Sequence, residues 1–346
     1  QASPGSSPRT SPPVRADGGS VMQSTGPTGG SPLLLGLAAE LYGHSLHAEV
    51  CREVLRCRDE GLDEEPPHLD INVNDDRAGT VLHWACAQRL GEVALAVIEC
   101  RHFSHVGAAR QGDGSTALHI AASEGLPDVV QALLACDRFV GAAAVQDRDG
   151  FTALHGAAFR GHVAIVAELL ASSEGRSAAG IEGSFDVARP PDHWAAEAVA
   201  LCDCRTALHL AAVAGHSGVC EALLALSGAT CNANATNRLN ATALHMAARG
   251  LHTDACRALL SCREFTNLDA RDTRGLTALH WAALQPSGDI CAALLARQDF
   301  KAVESKDLRG RTAAEVALLE GHHEVRRLIL QRLGPAALAS WAAALP

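Results

Sequence analysis

The sequence predicts an all-α fold: a solenoid of about eight stacked helix-pair repeats joined by short finger hairpins. Three observations point there. First, one phrase recurs as Thr80-Val-Leu-His83, Thr116-Ala-Leu-His119, Thr152-Ala-Leu-His155, Thr206-Ala-Leu-His209, Thr242-Ala-Leu-His245 and Thr277-Ala-Leu-His280, with a worn copy at Thr312-Ala-Ala-Glu315. Second, successive threonines lie 36, 36, 54, 36, 35 and 35 residues apart. A fixed period of this length marks stacked units, none of which can bury its apolar face alone. Third, the chain is 47% hydrophobic but only 3% aromatic. Its core must therefore be built from Ala, Leu and Val, which suits thin, closely packed helices.

The elements follow in chain order. Residues 1–30 are rich in Ser, Pro and Gly, the composition of a disordered leader or of a targeting remnant. The repeat array spans 31–333. Aligning Cys51-Arg-Glu-Val-Leu-Arg-Cys57 with Cys256-Arg-Ala-Leu-Leu-Ser-Cys262 places Leu37 on Thr242 and His47 on His252. Residues 31–60 thus read as a degenerate capping repeat and 306–333 as its counterpart, since end repeats turn one face to water. Within each repeat Thr opens a helix as its N-cap, and a pair of alanines lets neighbouring helices approach closely. The interval after Thr152 is 18 residues longer than its neighbours. The insertion, 172–204, begins as flexible loop and then predicts a short helix from Asp192 that carries Trp194. Residues 334–346 form an apolar tail with Leu338, Trp341 and Leu345 on one helical face. That stripe would either complete the C-terminal cap or dock on a partner.

The phrase resembles the ankyrin signature T-P-L-H-x-A, in register over roughly 31–333. Supporting features recur at the expected offsets: Gly161-His162, Gly215-His216 and Gly321-His322, then a leucine-rich second helix, then an Asp and Gly before the next Thr, as in Asp147 and Gly150. Two departures stand out. The signature Pro is Ala in nearly every copy. The usual Gly-Ala ending is replaced by Cys100-Arg-His-Phe103, Cys136-Asp-Arg-Phe139, Cys262-Arg-Glu-Phe265 and Arg297-Gln-Asp-Phe300, where the Phe is expected to plug the base of each finger. The resemblance implies helix, loop, antiparallel helix and finger, with the phrase histidine bracing the turn. It also implies partner binding through the finger tips and the concave side of the first helices. Carried onto this chain, those positions are Arg77, Arg148, Arg205, Arg238, Arg274 and Arg309 on the fingers. On the first helices they are Phe159, Arg160, Val213, Arg249, Leu284, Gln285, Leu319 and Glu320. Trp194 and Trp341 join them as contact candidates. Arginines on most fingers imply a partner with an acidic and apolar surface, because the planar guanidinium pairs carboxylates two-pronged. Otherwise they are solvated charges that keep the edge soluble.

Catalytic chemistry finds no foothold. No Gly-rich phosphate loop, HExxH or GxSxG occurs, so no cofactor and no enzymatic activity are expected. His193 and Glu197 have helical spacing, but one such pair in an insertion carries little. Only Cys202 and Cys204 lie close together, and no second pair has zinc spacing, so no metal is expected. The remaining periodic cysteines, Cys220, Cys256 and Cys291 at one position and Cys100, Cys136 and Cys262 at another, read as small buried hydrophobes. Twelve cysteines used this way imply a reducing intracellular compartment, cytoplasm or organelle stroma. A net charge of −10 disfavours nucleic acid, and no apolar run reaches the length of a membrane span. The sequence therefore predicts a non-catalytic protein-interaction scaffold. The alternative is a permanently bound structural subunit of a larger complex, and the long inter-repeat segments look similar to ankyrin proteins of unicellular algae.

Overall fold

The computed structural model describes residues 46–60, 70–75, 79–139, 142–171, 206–225 and 232–335. The leader, Leu37, the insertion with Trp194, and the tail with Leu338, Trp341 and Leu345 lie outside the described residues, as do Arg77 and Arg205. Among the described residues helix α1 (Leu46–Glu60) is followed by seven helix pairs. These are α2 (Val81–Ala87) with α3 (Gly91–Glu99), α4 (Ala117–Glu124) with α5 (Pro127–Leu134), and α6 (Ala153–Arg160) with α7 (Val163–Ala171). Next come α8 (Ala207–Ala214) with α9 (Ser217–Leu224), and α10 (Ala243–Arg249) with α11 (Thr253–Ser261). The series ends with α12 (Ala278–Ala283) with α13 (Asp289–Ala296), and α14 (Ala313–Leu319) with α15 (His323–Leu333). Among the described residues, first helices pack on first helices and second on second, and the main contacts lie within a layer or between adjacent layers. The α6–α7 and α8–α9 layers touch directly, so the 172–204 insertion leaves the stack unbroken.

The helix starts show why the phrase recurs. Each Thr is an extended N-cap whose backbone N–H donates to Nδ1 of the phrase histidine at 3.2–3.3 Å. An Nδ1 that accepts carries no proton, so Nε2 holds it. That Nε2–H reaches forward to the next layer: His83 to the Ser115 carbonyl at 3.2 Å, His119 to Phe151 at 3.0 Å, His209 to Ala241 at 3.0 Å, and His280 to Arg311 at 3.2 Å. The imidazole thus braces its own turn and also rivets two layers. In the last repeat Glu315 accepts from Thr312 N–H at 2.7 Å, and among the described residues its carboxylate bonds only to that turn.

A second set of histidines points the other way. His162, His216 and His252 bond through Nε2 to the carbonyls of Ser123, Phe159 and Val213, each at 3.0 Å, in the preceding first helix. His47 departs from its aligned role. Its Nε2 meets the Gly79 carbonyl of the following layer at 3.1 Å, at the forward offset of the phrase histidines. The rings of His162, His216 and His252 lie over the left-handed C-cap glycines, as His252 does over Gly215 (φ 81°). A Cβ on Gly215 would come within 2.4 Å of the His252 ring. Gly215→Ala is expected to lower unfolding free energy by roughly 2–4 kcal/mol, left-handed strain adding to overpacking. Urea denaturation checks this, and a change below about 0.5 kcal/mol, the scatter of surface substitutions, would refute the close fit.

The fingers are less strand-like than expected. Among the described residues only Asn74–Asp75 and Gly79–Thr80 form an antiparallel two-stranded ladder, with isolated bridges at Ala109–Thr116 and Lys306–Thr312. Most fingers are side-chain-held turns. One oxygen of Asp147 accepts the N–H groups of Asp149 and Phe151, and Asp272 and Asp307 do the same for their own turns. Backbone bonds also tie tip to tip, as in Arg148 N–H to Asp113 at 2.9 Å and Leu308 N–H to Arg274 at 3.1 Å.

Two packing expectations resolve differently. Phe103, Phe139, Phe265 and Phe300 are all buried. Cys51, Cys86, Cys220, Cys256 and Cys291 are fully buried, and burial pushes the thiols of Cys51, Cys86, Cys256 and Cys291 up to about 12. Cys100, Cys136 and Cys262, however, are only half-buried. They sit at or just past the ends of the second helices, where the backbone leaves the core, so the expectation of burial fails for that set. The nine described cysteines are free. No helix among the described residues is long and apolar enough to cross a membrane.

Candidate partner-binding face

The first helices bury the apolar face that holds the stack and expose the residues just after the paired alanines. Ala157 and Ala158 are completely buried, whereas Phe159 is 44% exposed and Arg160 is exposed beside it. Arg249 is likewise exposed at the end of α10, and Leu319 at the end of α14, while Leu284 and Gln285 are half-buried. On the fingers Arg148, Arg238, Arg274 and Arg309 are exposed. Arg148 donates through Nη1 to the Gly112 carbonyl at 2.8 Å, which fixes its stem along the preceding finger.

Two of these arginines converge. The guanidinium of Arg249 lies 5.5 Å from the centre of the Trp281 ring, and that of Arg274 lies 6.0 Å from it. Trp281 is in turn fixed by its indole N–H, which donates to the second oxygen of Asp272 at 3.1 Å. Cation–π attraction to the indole gathers two positive charges at one ring. Neither arginine pairs with a carboxylate among the described residues. The phrase gave no hint of this cluster, because Trp281 sits at its variable position.

The sequence reading also missed a groove of about 490 Å³ on the same face. Ile120, Phe151, Phe159 and Leu210 supply its apolar walls, and Asp113, Asp147 and Glu124 its acidic ones. Gly156 forms its floor at the variable position that holds Trp84, Ile120, Leu210, Met246, Trp281 and Val316 in the other layers. The carboxylates differ in state. Burial would raise Asp113, but hydrogen bonds from Arg110 and from the Ser115 N–H and hydroxyl outweigh it and hold the group well below the usual range. Asp147 is pushed up to about 6, first by burial and then by Asp149 and Asp113, against two opposing backbone N–H bonds.

Among the described residues no group of three or more His, Cys, Asp or Glu side chains gathers to hold a metal ion. The family profile for ankyrin repeats matches residues 33–140, 100–179, 136–235 and 194–272. Among solved structures, the human ASB11 ankyrin repeat domain superposes with a TM-score of 0.54 at 22% identity, covering 73% of this chain and 98% of that one. No curated protein matches the sequence.

Proposed function

This chain belongs to the ankyrin-repeat family, and from that premise we propose that it is a non-catalytic scaffold that binds a protein partner through its finger tips and concave face. Ankyrin repeats generally mediate protein–protein interaction, and the layers described above are devoted to stacking. The observation that carries the reading is the Arg249–Trp281–Arg274 cluster, an immobilised positive site beside half-buried Leu284. It suits a partner segment in which carboxylates flank an apolar side chain, since aromatic and arginine anchors dominate interface energetics. Free cysteines, five of them fully buried, suit a reducing intracellular compartment such as cytoplasm or organelle stroma.

Selection of binders from a random peptide library tests this. Enriched peptides are expected to carry Asp or Glu next to a large apolar residue. Replacing Arg249 and Arg274 together by Glu should weaken them by about tenfold or more, with a further loss as salt is raised. Enriched peptides that bind the double variant equally well would place recognition elsewhere. A partner held at fixed stoichiometry through purification would make the chain a permanent subunit rather than an exchangeable scaffold.

A further inference from the structure

At the third helix pair, Gly156 and Asp147 depart from the arrangement that Trp281 and Asp272 make in the sixth. In the sixth helix pair, Asp272 uses one oxygen for its own turn and gives the other to the indole N–H of Trp281, nine residues on. Asp307 gives its second oxygen to Arg311 at 2.8 Å, and Asp113 gives its second oxygen to Arg110. Asp147 holds its turn in the same way, yet its second oxygen receives no donor among the described residues. The residue nine positions on, where Trp281 stands in the other layer, is Gly156. Gly156 brings no donor to that oxygen and, with no side chain, leaves the groove open beside it. Two nearby cations are paired, Arg110 with Asp113 and Arg89 with Glu124 at 2.9 Å, and Arg148 is turned to the Gly112 carbonyl of the preceding finger.

We propose that this groove receives one arginine side chain of a partner segment, its guanidinium on the free oxygen of Asp147 and its apolar neighbour against Phe159 and Leu210. The inference rests on the scaffold reading and names a second feature of the partner: a basic anchor several layers from the acidic one. Charge complementarity selects the occupant. The groove's ion pairs leave Asp147 as its uncompensated carboxylate, and the exposed Phe159 ring offers an apolar surface to the neighbouring side chain. The volume is that of a pocket for a small ligand or a few side chains. The raised affinity of Asp147 for a proton agrees with a carboxylate that lacks its positive partner.

The test uses the full chain and a labelled peptide with one arginine between two leucines in a Gly-Ser background. Counterparts carry norleucine or glutamate in place of arginine. Chemical-shift perturbation and fluorescence anisotropy should show the arginine peptide binding about tenfold or more tightly than either counterpart. Asp147→Asn keeps the turn-holding oxygen, as Asn237 does in its own layer, and should weaken the arginine peptide by a similar factor. Gly156→Leu, which fills the floor, should do the same. Thermal melts of both variants establish that they fold, and Asp147→Asn alone decides if Gly156→Leu does not. Replacing Arg249 and Arg274 by Glu should leave this peptide's affinity within about twofold, because those groups sit layers away. Equal binding of the norleucine peptide, no binding at millimolar peptide, or an unaffected Asp147→Asn variant would overturn the inference. If the acidic library peptides still bind through Arg249 and Arg274, only this inference falls. Loss of both kinds of binding would sink the scaffold reading as well.

Discussion

Lowering the pH from 7.5 to 5 is expected to cost this protein several kcal/mol of stability. The cause is the phrase histidines. Each must accept a hydrogen bond at Nδ1, which only the neutral ring can do. Burial pushes His83 down to about 4, and it lowers His119, His245 and His280 as well, against partial support from carbonyls that accept their Nε2–H. In the unfolded chain the same imidazoles titrate near 6.5. Between the two values the unfolded state binds more protons, so stability falls as pH drops through that window. A fully developed difference contributes about 1.4 kcal/mol per pH unit for each histidine. Asp147 works in the opposite direction, because its raised value makes protonation favour the folded state below about 6. One such carboxyl does not offset four imidazoles. Asp113 and Asp307 are held low by hydrogen bonds that outweigh their burial, so their loss begins only below the ordinary carboxylate range near 4. Urea midpoints at pH 7.5, 6.5, 5.5 and 5 should therefore fall steadily with an unchanged slope. A flat profile would mean that these histidines can charge within the fold and do not rivet the layers.

Truncating Phe265 to Ala should cost about 3–5 kcal/mol, at the upper part of the range for core aromatics. The ring is completely buried where the fifth layer turns into the sixth finger. The backbone around it cannot collapse into the void. Asn234 accepts the N–H groups of Thr266 and Asn267, each at 2.8 Å, and donates to the Glu264 carbonyl at 2.7 Å. From the other side Arg297 reaches the carbonyls of Leu260, Cys262 and Phe265. Held at both ends, the segment keeps the cavity open. Because the main contacts among the described residues join adjacent layers, the lesion should also let the C-terminal layers unfold separately. Urea titration followed by Trp fluorescence, with Trp281 in the affected part, would then show a reduced slope or two phases. Phe265→Leu should lose less than half as much. A loss under about 1 kcal/mol for Phe265→Ala, typical of positions outside the core, would show that the ring is not a packing wedge.

Arg297 and Arg138 mark where sequence reasoning stopped. Arg138 donates to the carbonyls of Cys100 and Phe103, one layer back, and Arg297 likewise to those of Cys262 and Phe265. In the sequence they stand at different places in the Cys-x-x-Phe segment, so no register connects them. Only the folded chain shows that both guanidinium groups reach equivalent helix-end carbonyls. His47 is similar. Alignment put it with the backward-bonding histidines, but within the described residues no earlier layer offers it a carbonyl, and it bonds forward instead.

The amino-acid sequence by itself determined the helix pairs, their period, the Thr–His start of each first helix and the burial of the recurring Phe. Those properties arise within one repeat and are restated in every copy, so position along the chain is enough to read them. The Trp281 arginine cluster and the Gly156 groove were decided only by the tertiary structure. Both occupy the variable position of the phrase, where a residue acts by what it gives or fails to give to neighbours about thirty residues away. A missing side chain leaves no pattern in the sequence; it becomes a site only when adjacent layers stack around the gap and a carboxylate is left facing it.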